Sequence, residues 1–169
     1  MSWLRAFAPQ SRWRELRQRQ QRFHEERQAQ PQSDATFLER IAADNRVEWR
    51  RLALLIRAIV ASQCGVAADQ IRAEDRTAEL ESLIGQRGLS DFFLAIPEGL
   101  EISDFFFQLT KAISRSTNTQ VHVNSELRET TYRRWREPDE RGFAPRFGPW
   151  VSWLATEIER RSQNGPRGG

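Results

Sequence analysis

Between residues 46 and 63 the chain carries its one long apolar helical repeat. Leu52, Leu55, Ile56, Ile59 and Val60 recur at helical spacing, Leu54 widens the stripe, and the pattern stops at Gly65. Such spacing gathers the side chains on one face, and a glycine just past the last periodic residue is the usual helix stop. Asn45 offers an N-cap, with Glu48 three residues later as in a capping box. A face this broad has to be covered by other elements, so the rest of the chain is expected to pack around this helix. Strand-like alternation is nearly absent, with one short patch at Gln120-Val121-His122-Val123. The expected class is all-α.

The covering elements follow from their own punctuation. Residues 10–30 are dominated by Arg, Gln and Glu, with sparse apolar residues at Trp13, Leu16 and Phe23. They read as a polar helical arm over 1–33, closed by Pro31-Gln32-Ser33. A short helix is predicted from Asp34 to Ala43, and another from Thr77 to Ile84, closed by Gly85 and Gly88. Ser90 caps a helix that Pro97 cuts short, and Ser103 caps one with Phe105, Phe106, Leu109, Ala112 and Ile113 at helical spacing. Ser125 opens a helix to Arg136. Gly142 to Gly148 reads as a loop, and Pro149 sits in the first turn of a last helix burying Trp150, Val151, Leu154 and Ile158. The compact domain is expected over 34–160, and the tail 161–169 is expected to be disordered.

Composition narrows the class of partner. Of 26 basic residues only Lys111 is a lysine, and the net charge is +3. The charge is uneven: residues 1–30 carry seven Arg against three Glu, residues 64–110 three Arg against nine acids, and residues 111–169 eleven bases against seven acids. An acidic centre between basic ends suits basic partners, and the chain's own basic ends are the other candidate cover. The single Cys64 rules out an internal disulfide and fits a reducing compartment. It falls at the end of the apolar helix, where a buried thiol is expected. No apolar run reaches transmembrane length, and the first residues lack the apolar centre of a secretory signal, so a cytoplasmic protein is expected.

The middle of the chain resembles the acyl carrier protein family. The residues that carry the likeness are the apolar helix ending at Gly65, then Gly65-Val66-Ala67-Ala68-Asp69-Gln70-Ile71, then Glu74-Asp75-Arg76-Thr77-Ala78-Glu79-Leu80, and later Gly99-Leu100-Glu101-Ile102-Ser103-Asp104. The lead-in Phe147-Gly148-Pro149-Trp150-Val151-Ser152-Trp153-Leu154 is similar to the opening of that family's closing helix. The resemblance implies an acyl-carrier-like helical bundle, here with an inserted helix-and-loop segment at about 114–146. It also implies a serine at a helix start bearing 4'-phosphopantetheine, where backbone N–H groups and the helix dipole favour a phosphodiester. Two serines stand near the expected place. Glu81-Ser82-Leu83 keeps the family's order of acid, serine and leucine but lacks the preceding glycine, and it falls near a helix end. Leu89-Ser90-Asp91 has the helix start but the reversed order.

Catalysis finds no constellation. His24 lies in the arm and His122 in a loop, and neither joins Cys64 or a serine in a nucleophile motif. Two histidines and one cysteine at wide separation make no metal site, and Glu79/Glu81 and Glu98/Glu101 read as solvated faces. Arg133-Arg134-Trp135-Arg136 interleaves charge with an aromatic ring, as nucleic-acid binders do, but Glu137, Asp139 and Glu140 follow at once. The expectation is therefore a module that is not an enzyme, needs no cofactor and docks protein partners. The acidic stretch 69–104 would supply the docking surface through Asp91, Glu98, Glu101 and Asp104. The alternatives are a working carrier bearing phosphopantetheine on Ser90 or Ser82, and a nucleic-acid-associated protein using the Arg-rich arm.

Overall fold

The apolar repeat forms the central helix α3 (Val47–Cys64), which buries Trp49, Leu52, Ala53, Ile56, Val60, Ala61 and Cys64 along one side. In this computed structural model the described residues are 8–41, 45–84, 125–138 and 141–163, with Leu109, Lys111 and Ile113. Gly65 adopts a left-handed φ of 73°. Its N–H reaches Ser62 O, and the next N–H, from Val66, reaches Ala61 O at 3.1 Å. That pairing satisfies two of the helix's last carbonyls in a Schellman closure that a side chain on residue 65 would strain. The other end differs from the expectation. Arg46 precedes the first turn and gives it no side-chain cap, so Asn45 and Glu48 do not form the expected capping box.

Five further α-helices surround α3 among the described residues: α1 (Ala8–Gln28), α2 (Asp34–Arg40), α4 (Thr77–Glu81), α5 (Ser125–Arg136) and α6 (Phe147–Gln163). A single 3-10 turn, Ala68–Gln70, lies between α3 and α4. No strand occurs among the described residues, where the one extended pairing is an antiparallel bridge between Arg76 and Arg146. The chain is all-α. α5 spans the residues its sequence predicts, whereas α2 and α4 end before their predicted Ala43 and Ile84.

α6 runs alongside α3 and is its principal partner. It contributes Phe147, Trp150, Val151, Leu154, Ala155 and Ile158 to the core, and Trp49 Nε1 donates to Thr156 Oγ1 at 3.0 Å across the seam. α5 turns Leu127, Thr131 and Trp135 inward at four-residue steps, and Leu109 and Ile113 are buried in the same core. Trp135 meets the Trp150 ring edge-on at 4.8 Å between centroids, and Phe147 stacks on Trp150 at 6.0 Å. Each such side chain contributes about 1.5–3 kcal/mol by leaving water.

α6 starts two residues before Pro149, so Phe147 and Gly148 belong to the helix and not to the expected loop. The reason is tertiary. Phe147 N donates to Asp75 O and Gly148 N to Ala73 O, both at 2.8 Å, so the α3–α4 loop supplies acceptors to a helix end that has none of its own. Gly148 is required by this approach: a Cβ there would lie 2.9 Å from Ile41 Cγ2 and 3.0 Å from the carbonyl oxygen of Ala73.

Candidate functional site

The polar chemistry of the described residues converges on the segment joining α3 to α4. Arg57 lies on the buried face of α3 and its side chain is fully enclosed. Nη1 donates to Asp34 Oδ1 at 2.9 Å, Nε and Nη2 donate to Ile71 O, and Nη2 also donates to Gln32 O at 2.7 Å. The guanidinium rests 4.4 Å from the centre of the Phe37 ring. Burial draws its pKa down, and the Asp34 carboxylate opposes the shift. One cation thus clamps the start of α2 and the loop onto α3.

Gln32 completes that clamp. Its Oε1 takes the Ala73 N–H at 3.0 Å, its Nε2 reaches Glu74, and its own N–H reaches Asp69 O. Asp75, a few residues on, has its side chain 2% exposed. Arg27 Nη2 donates to its Oδ1 and the Arg72 N–H to its Oδ2, both at 2.7 Å. Burial nonetheless pushes this carboxyl up to about 6; the Arg72 N–H and Arg27 work against the shift and Glu79 adds to it.

The basic arm of the sequence reading is α1, and it is seated on this segment. Phe23 is 4% exposed and belongs to the core. Gln20 Nε2 donates to Cys64 O at 2.8 Å and Leu83 O at 3.0 Å. Gln70 Oε1 accepts the Ala67 N–H, so its Nε2 faces His24 as a donor and the Nδ1 of that ring accepts. His24 is exposed, as expected, yet tied. Arg27 is held through Nη2, with its guanidinium 5.1 Å from the centre of the Phe23 ring.

Ser82 is exposed at the C-terminal end of α4, and its hydroxyl donates to Glu79 O at 2.6 Å. A phosphodiester there would meet the negative end of the helix. Cys64 is buried, its Sγ 3.5 Å from Leu80 O, and burial pushes the thiol up to about 12. Glu81 is not a solvated face. It accepts from Trp135 Nε1 at 3.0 Å and pairs with Arg136, while Glu79 lies 3.6 Å from Arg27. Trp135 is 1% exposed and so is closed to base stacking. Ser90, Asp91, Glu98, Glu101, Asp104 and His122 lie outside the described residues.

No family model, curated protein or solved structure matches the chain. What the arrangement does rests on its own geometry. Among the described residues no group of three or more His, Cys, Asp or Glu is placed to hold a metal ion, and no helix is long and apolar enough to cross a membrane. Sequence reasoning missed Arg57, Gln20 and Gln32 altogether. For Arg57 a signal existed: it lies four residues after Ala53 and three before Val60, inside the apolar face.

Proposed function

We propose that this chain is a non-catalytic, acyl-carrier-like helical module that works by docking protein partners. The observation that carries the reading is Ser82, whose hydroxyl is turned back onto Glu79 O at the closing end of α4. Other chemistry-bearing groups point the same way. The Cys64 thiol is enclosed, Asp75 holds Arg27 and Arg72, and Glu81 holds Trp135 and Arg136. The acidic stretch continuing through Asp91, Glu98, Glu101 and Asp104 is the proposed contact surface, through charge complementarity with basic partners.

The test is intact mass after incubation with coenzyme A and a broad-specificity phosphopantetheinyl transferase, with capture of crosslinked partners in parallel. The expected result is an unchanged mass, and partner capture that the charge reversals Glu98→Lys and Glu101→Lys weaken. A mass gain of one phosphopantetheine group, abolished by Ser90→Ala or Ser82→Ala, overturns the reading in favour of a working carrier.

A further inference from the structure

α1 differs from the helices that build the core. Its exposed side chains are Arg, Gln and Glu almost throughout, and Phe23 is its one fully buried apolar side chain among the described residues. Gln20, Phe23, His24 and Arg27 stand at i, i+3, i+4 and i+7 and so share one face. Gln20, His24 and Arg27 all meet the segment from Cys64 to Leu83. That segment offers mainly acceptors: the carbonyls of Cys64 and Leu83 to the Gln20 amide, and the carboxylates of Asp75 and Glu79 to the Arg27 guanidinium. Gln70 is the one side-chain donor in the set. An amphipathic helix laid in a groove is read through anchors at this spacing.

The seat is built to let go. The Gln20 and His24 contacts exchange for water at small net gain, whereas the Arg27–Asp75 pair, with Asp75 2% exposed, is the contact a competing helix has to replace with an arginine of its own. Arg, Gln and Glu are good helix formers, so α1 can leave largely as a unit. We propose that the face formed by residues 64–83 is a helix-docking groove, filled in cis by α1. In trans it takes a basic amphipathic helix of a partner that carries an amide, an aromatic ring and an arginine at i, i+3 and i+7. The inference gives the docking role proposed above a second surface and a means of control: α1 masks the groove until a helix of the same pattern displaces it.

The test uses the full chain and a fluorescent peptide with the sequence of residues 8–30. The peptide should bind a Phe23→Ala/Arg27→Glu variant at least tenfold more tightly than the unaltered protein, because the cis competitor has been removed. A peptide carrying the same two substitutions should not bind, and added salt should weaken the binding. Equal binding to both proteins, or binding indifferent to the peptide's Phe and Arg, overturns the proposal. Should the variant lose its helical circular dichroism, hydrogen exchange on the unaltered protein decides. α1 amides should exchange at least tenfold faster than those of α3, and equal protection overturns the proposal. Failure here leaves partner capture through Glu98 and Glu101 untouched, so the two readings fall separately.

Discussion

The seam between α3 and α6 and the seat of α1 join helices to the same body by opposite means. The seam encloses Ile56, Val60, Trp150, Val151 and Leu154 at 3% exposure or less. The seat encloses one phenyl ring and otherwise relies on directed contacts to two carbonyls, two carboxylates and the Gln70 amide. Area burial is non-directional and is not screened by salt, whereas charge contacts are directional and lose strength in salt to the extent that they are exposed. The seam therefore suits permanent structure, and the seat suits recognition.

The largest effect that would sharpen this contrast is at the seam. Trp150→Ala should cost about 3–5 kcal/mol in urea unfolding, with little change between low and high salt. A smaller or strongly salt-dependent loss would erase the distinction. Arg57→Met comes next at about 2–4 kcal/mol, because it deprives the enclosed carbonyls of Ile71 and Gln32 of their donor, while the exposed Asp34 carboxylate stays in water. Although charged, Arg57 should behave as part of the core, and unchanged urea stability would refute that. Gly148→Ala should cost about 1–3 kcal/mol by forcing Ile41 and Ala73 away from α6.

The effect at Asp75 is of similar size to that at Gly148 and has an unusual sign. Its carboxyl titrates near 6 in the folded chain, above the unfolded value of 3.8, so folding favours the protonated form. The stability it contributes is fully present below 3.8 and is lost as pH rises through 6, on the order of 1–3 kcal/mol. Urea midpoints of the wild type and Asp75→Asn, compared from pH 4 to 7, should show that slope only in the wild type. Parallel pH profiles would show that burial does not govern this carboxyl.

The seam was legible in the sequence and the seat was not, for one physical reason. Core faces repeat: the stripe in α3 and the spacing of Trp150, Val151, Leu154 and Ile158 announce themselves by period, while α5 was marked by its opening Ser125. The seat is made by single side chains meeting partners far along the chain; Gln20 and Leu83 are 63 residues apart, and no local pattern marks such a pair. The same holds for the start of α6. Phe147-Gly148 reads as a loop until Asp75 O and Ala73 O arrive to take their N–H groups. Ser82 could be placed because a helix end is a local matter, whereas the acidic residues proposed for docking, from Asp91 to Asp104, lie outside the described residues.

The bond between Trp49 and Thr156 spans 107 residues, and it sets a clock. At ribosomal speeds of about 5–20 residues per second, α3 leaves the point of synthesis some 5–20 s before the helix that covers it. Throughout that interval the apolar face of α3 lacks its principal partner among the described residues.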